Sequence, residues 1–336
     1  MIKKTFIPLF LLTLTGLLAN PVKAQIRAVG SSTVFPFVAM AAEEFGRKTR
    51  FKTPIIESTG TGGGFKLFCD NKASNNIDFT NASRPIKNSE KANCQKGQIT
   101  PFEVKIGYDG IVIASNIKAP DFALSTNDLF LALAKQVPIN GQLVTNPYQN
   151  WQEINPALPD QKIKMYGPPP TSGTLDVFVE LVMEKACLKL PEFKANYADK
   201  KARKKACHLI REDGAYIQAG ENDNVIVQKL QQNIDAFGIF GFSFYEENFS
   251  VVKAAEIDGT EVSFENIASQ AYPIARSLFV YFSEGHLEKN SGLKDFLNEL
   301  TCDDALGPNG YLTFRGLIPL PEAERKAMQA SVAKFF

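Results

Sequence analysis

The feature that most constrains this chain is a junction that recurs three times: a turn of small hydroxylated residues and glycine that opens a run of helical periodicity. Gly30-Ser31-Ser32-Thr33 leads from a strand-like run at 26–29 into an amphipathic helix over 34–49. Ser58-Thr59-Gly60-Thr61-Gly62-Gly63-Gly64 leads from a strand over 53–57 into a helix over 63–71. Thr171-Ser172-Gly173-Thr174 opens a helix over 175–188, whose apolar residues at 175, 178, 179, 182, 183 and 186 share one face. Further strands are predicted at 77–80 and 110–114, and a strong β run over 271–282 suits a chain crossing back between two lobes. Strands alternating with helices give an α/β fold with largely parallel sheets. The Pro- and Gly-rich stretch 138–170, which holds the lone Trp151, is expected to form short helices and loops. No internal repeat is visible, and 336 residues are enough for about two domains, each with its own core.

Each junction leaves unpaired backbone N–H groups and a positive dipole end at a helix start, with hydroxyls beside them, which is a cradle for an anion. Taken singly, each also reads as a Ser/Thr N-cap. Three together point to helix starts from two lobes converging on one tetrahedral oxyanion, with many donors and little net charge. Arg84 offers a guanidinium fork to such an ion or a surface ion pair. Asp109, at the edge of the 110–114 strand, is either a turn residue or an acceptor. A carboxylate accepts only from a ligand that still carries a proton, so it would favour hydrogen phosphate over sulfate. Nucleotide phosphate fits poorly, because Gly60-x-Gly62-x-x-Phe65 fails the dinucleotide fingerprint and no Gly-Lys-Ser/Thr motif occurs.

The N-terminus reads as an export signal: Lys3 and Lys4, an apolar run interrupted by Pro8 and Gly16, and cleavage after Ala24. The run falls short of the roughly 20 apolar residues of a spanning helix. No Cys near the cleavage site offers a lipid anchor, so a periplasmic location is expected. Without the segment 1–24 the chain is slightly acidic, which gives no broad basic face for nucleic acid. Export permits disulfides, and sequence-local pairing predicts Cys69–Cys94 and Cys187–Cys207 with Cys302 free, each bridge worth roughly 3 kcal/mol. The alternative is five reduced, buried thiols.

Gly30-Ser31-Ser32-Thr33-Val34-Phe35-Pro36, the Thr61-Gly62-Gly63-Gly64 turn, Asp78-Phe79-x-x-Ala82-Ser83-Arg84, Ser172-Gly173-Thr174 and Ala236-Phe237-Gly238-Ile239-Phe240-Gly241-Phe242 occur in this order over essentially the whole chain after residue 24. In these motifs the chain resembles the PstS-like phosphate-binding proteins of ABC transporters. The resemblance implies a type II periplasmic-binding-protein fold: lobe 1 over 25–115 and 272–336, lobe 2 over 116–271, two crossover strands and phosphate in the cleft. It carries ligand contacts onto Ser32, Thr33, Thr61, Gly62, Ser172, Gly173 and Thr174. Some family members have an Arg where this chain has Pro168, and some have an acceptor Asp where it has Arg84. Arg84 is therefore expected to supply the cation and Asp109 the acceptor, if one is present. Inorganic phosphate, a membrane permease and its separate ATPase are the implied partners, with no cofactor or metal, and a monomer is expected. Sulfate, tungstate or molybdate is the alternative ligand class.

An exported hydrolase is the competing class, as is a scaffold on the same fold. Gly241-Phe242-Ser243-Phe244-Tyr245 lacks the second Gly of a nucleophile elbow. His208 and His286, the only two histidines, sit in no recognisable triad context. Ser291-x-x-Lys294 has neither of its companion motifs and reads better as the cap of a helix over 292–300. No clustered His and Asp ligands suggest a metal phosphatase.

Overall fold

The computed structural model describes residues 25–70, 77–170, 172–220 and 223–336, so the export segment and Thr171 lie outside the described residues. Its centre is a mixed sheet of nine strands. In one half, Arg27–Gly30 runs parallel to both Ile55–Ser58 and Phe79–Ala82. In the other half, Met165–Gly167 runs parallel to both Tyr216–Gln218 and Phe237–Gly241. Pro101–Asn116 ties the halves together: it pairs antiparallel with Ala275–Ser283 as far as Gly110, and with Phe237–Gly241 from Ile111 onward. The strand expected at 110–114 is thus the middle of a 16-residue strand whose pairing changes sides beside Asp109. Ala275–Ser283 inserts between Pro101–Asn116 and Phe79–Ala82, so the late crossing strand is central to the first half.

The helices form largely where periodicity puts them. Phe35–Lys48 carries Pro in its first turn, where a missing N–H costs nothing, and buries Phe37, Val38, Ala41, Ala42 and Phe45. Thr61–Phe68 starts at the hydroxylated turn itself. It packs so tightly that a Cβ on Gly64 would lie 2.7 Å from the Gly30 Cα. Gly30, at φ +149°, has its own Cβ position 2.2 Å from the Asn81 carbonyl, so only glycine fits both the torsion and the contact. The run predicted over 175–188 is α-helical over Gly173–Phe178, π-helical over Val179–Glu184 and α-helical again over Lys185–Cys187. Leu175, Phe178, Val182, Met183 and Ala186 are buried, as the spacing predicts.

Three expectations are corrected. The 138–170 stretch contributes strands as well as short helices: a hairpin, Gln136–Ile139 with Gln142–Thr145, and the sheet strand Met165–Gly167. The hairpin turns at Asn140 and Gly141, both at positive φ, the geometry that an Asn-Gly pair favours. The helix Ser291–Thr301 is capped by Asn290, whose side chain accepts from Gly292 and Leu293, rather than by Ser291. Strand pairing begins at Ala275 rather than 271. Cys69 bridges Cys94 and Cys187 bridges Cys207, as sequence-local pairing predicts, and Cys302 is a half-buried free thiol. Trp151 is fully buried against Phe122 and Phe237 in the second half.

Candidate functional site

A cleft of about 320 Å³ opens between the halves of the sheet, beside the point where Pro101–Asn116 changes partners. Strand ends at such a switch point are where open α/β sheets leave room for a ligand. Thr33 lines the cleft from the first junction, Asp109 from the shared strand, and Ser172, Gly173 and Thr174 from the third junction. The Ser172 hydroxyl accepts from the Thr174 N–H at 3.2 Å, so it caps its helix and leaves its own proton free to donate elsewhere. A Cβ on Gly173 would lie 3.3 Å from the Thr33 Cα, so the first and third turns are in near contact across the cleft. The Ser32 hydroxyl bridges the same gap and donates to Asp176 Oδ2.

The charge of the site centres on Arg276, in the crossing strand directly opposite Asp109. Only 7% of its side chain is exposed. One arm of its fork donates to Glu180 Oε2 at 2.7 Å, the other to the Thr33 hydroxyl, and its Nε stands 3.8 Å from Asp109 Oδ2. That Nε is buried with no hydrogen-bond partner among the described residues. Burial pushes the Asp109 carboxyl up, while Arg276 and the Gly110 N–H pull it down, and burial prevails. Asp223, also on the cleft wall, accepts from the Gly241 N–H at 3.3 Å.

Thr61, Gly62 and Arg84 are not among the residues lining this cleft. Thr61 Oγ1 lies 3.1 Å from Ser83 Oγ and accepts from the Ser83 N–H at 3.2 Å. Gly62 faces open space. Arg84, expected as the ligand cation, holds both Glu90 oxygens at 2.8 Å and lies over the Phe65 ring. Two guanidiniums serve the cleft: Arg315 lines it, and Arg276 donates to the lining residue Thr33; the signal that could have found Arg276 was an arginine in the apolar run AYPIARSLFVYF. Asp176 and Glu180, one turn apart on the third helix, were missed for lack of any motif; they accept bonds from Ser32 and Arg276 respectively. Ser243 also faces the cleft, and its hydroxyl donates to the Gly316 carbonyl at 3.3 Å. His208 is bound to Glu184, and His286 lies beside Asp78, so neither histidine sits with Ser243.

Comparison with known proteins identifies the family. A family model for the PBP superfamily domain matches residues 18–304. A protein named SphX from Synechococcus elongatus is 31% identical over 94% of this chain and 83% of its own length. A phosphate-binding protein PstS from Staphylococcus saprophyticus is 30% identical over 92% of this chain and 85% of its own. The solved structure of a possible phosphate-binding protein from Planctomyces limnophilus superposes with a TM-score of 0.76 at 27% identity, covering 94% of this chain and 99% of that one. The chain belongs to the PBP superfamily, among the PstS and SphX proteins.

Proposed function

We propose that this protein is an exported receptor that captures inorganic phosphate between two lobes and delivers it to an ABC-type import permease driven by a separate ATPase. The observation that carries the reading is the pairing of Asp109, a buried carboxylate acceptor on the shared strand, with the hydroxyl and amide donors of Ser172, Gly173 and Thr174 in one cleft. Hydrogen phosphate offers a proton to Asp109 and lone pairs to the donors, whereas sulfate at neutral pH has no proton to give and is repelled by the carboxylate. Thr33 and Ser32 complete the cradle from the facing turn, and Thr61 and Gly62 add the start of a neighbouring helix. Arg276 takes over the cation role expected of Arg84.

The lobes of the proposal are 25–115 with 272–336, and 116–271, hinged where the two long strands cross. Ligand binding favours the closed arrangement because only there do both turns reach the anion. The mature protein begins at Gln25 after signal cleavage, works in the periplasm as a monomer, and performs no catalysis on its ligand. Named relatives that bind phosphate support the reading, as does the meeting of Thr33, Asp109 and Ser172–Thr174 at one cleft.

Calorimetric titration of ligand-stripped protein with phosphate and with sulfate, at about pH 6 and about pH 8.5, tests it. Tight phosphate binding with no sulfate heat is expected. Equal affinity for both ions would remove the proton-reading role of Asp109, and silence for both would overturn the assignment.

A further inference from the structure

The cleft leaves one strongly charged surface unused. Residues 185–205 hold eight Lys and Arg against two carboxylates, in a chain whose formal net charge is only +1. They fold into the helices Pro191–Asn196 and Lys200–Cys207, stapled by the Cys187–Cys207 bridge to the end of the third helix. Lys204 is paired with Glu184, and Arg203 donates to the Tyr197 carbonyl. Lys185, Lys189, Lys194, Lys200, Lys201 and Lys205 are exposed and have no ion pair among the described residues. Of the local acids, Glu184 is held by Lys204 and His208, and Asp199 caps the helix through the Ala202 N–H. Glu192 Oε2 is buried without a hydrogen-bond partner, and no carboxylate among the described residues forms an ion pair with these six lysines.

Two exposed leucines flank the bridge. Leu188 directly follows the bridged Cys187 and Leu209 lies two residues past Cys207, and they are 47% and 40% exposed. Lys135, also exposed, donates its backbone N–H to the Leu209 carbonyl at 2.9 Å and extends the basic rim. Lysines with flexible stems suit a diffuse layer of negative charge better than the fixed fork of arginine, which fits single planar oxyanions. Exposed leucines among lysines suit a surface with an apolar layer beneath its charges, which a soluble polyanion lacks.

We propose that this disulfide-stapled knob docks the protein on an anionic phospholipid surface, with the lysines on the headgroups and Leu188 and Leu209 in the interface. The knob sits at the far end of the helical run that begins at Gly173 beside the cleft. The inference does not depend on which anion the cleft takes.

The protein, purified in its exported form, would be sedimented with vesicles of phosphatidylcholine alone and with vesicles containing roughly one-third phosphatidylglycerol, at low and at high salt. Binding only to the anionic vesicles, released by salt, is expected. The variant Lys200→Gln/Lys201→Gln/Lys205→Gln should bind about 100-fold more weakly, at about 5-fold for each lysine near the surface. Leu188→Ser/Leu209→Ser should release at lower salt than the parent. Unchanged thermal unfolding would verify that both variants fold. Equal binding to both vesicle types, no binding to either, or full binding by the triple variant would overturn the proposal. Binding to long-chain polyphosphate without binding to vesicles would overturn it in favour of a soluble polyanion.

Discussion

Replacing Arg276 with Met keeps the length and apolar bulk of the side chain and removes the cation that stands 3.8 Å from Asp109. At 3.8 Å and an effective dielectric of about 20, the attraction between the two is about 4 kcal/mol. Asp109 keeps 17% side-chain exposure, so roughly half of that is screened, leaving about 2 kcal/mol. The Glu180 bond adds little, because that carboxylate is 46% exposed and regains water. Two consequences follow from the same energy. The carboxyl of Asp109, already raised by burial, rises further once the guanidinium that holds it down is gone. The ligand-free fold loses about 2 kcal/mol, read as a lower urea midpoint at unchanged slope.

A protonated Asp109 no longer refuses a fully ionised ligand. The sign is fixed by the direction of the shift: a raised carboxyl is neutral below its folded value, so discrimination against sulfate is complete at alkaline pH and fades as pH falls. In Arg276→Met that fading moves to higher pH. Phosphate affinity at neutral pH falls by about 30-fold for 2 kcal/mol, while the ratio of phosphate to sulfate affinity collapses. Arg276→Lys, which keeps the charge without the fork, should retain most of the ratio and lose the Thr33 and Glu180 bonds. Titration calorimetry with both ions across pH gives all three quantities. A parental phosphate-to-sulfate ratio at every pH in Arg276→Met would refute the coupling between the two residues.

Other perturbations separate the parts of the site. Gly173→Val places side-chain atoms where Thr33 approaches, so it should abolish tight phosphate binding while leaving the melting temperature of the ligand-free protein close to parental. Ser32→Ala removes the hydroxyl bond to Asp176 across the cleft and should weaken phosphate binding by about 5-fold, for about 1 kcal/mol, without altering the preference over sulfate. Cys187→Ser/Cys207→Ser should lower unfolding stability by roughly 3 kcal/mol, measured by urea titration, because it frees a loop with a sequence separation of 20.

How far the sequence reached depended on whether a residue's role was written in its neighbours. The turns at Ser31–Thr33 and Ser172–Thr174 were legible because their hydroxyls and glycines sit next to the periodic runs they open. The Asn140-Gly141 turn was equally local and pointed to the hairpin, yet the surrounding prolines masked it. Arg84 stood out because a guanidinium in a motif looks like a ligand, while the partner it holds, Glu90, lies six residues on in a helix that the motif did not reveal. Arg276 meets Asp109 only because Ala275–Ser283 pairs with Pro101–Asn116, a register that no local pattern encodes. The π-helical turn at Val179–Glu184 left no trace in periodicity, since one wide turn barely shifts the buried face.

The position of Ala275–Ser283 also sets the order in which the molecule can be made. That strand lies between Phe79–Ala82 and Pro101–Asn116, so until it arrives the first half has two open edges and no middle. The second half has all its sheet strands by Ala254 and can close earlier. Pairings separated by nearly two hundred residues are slow to find. The first half therefore cannot complete its sheet until most of the chain has been made, and the half that carries Thr33 is the last to lock.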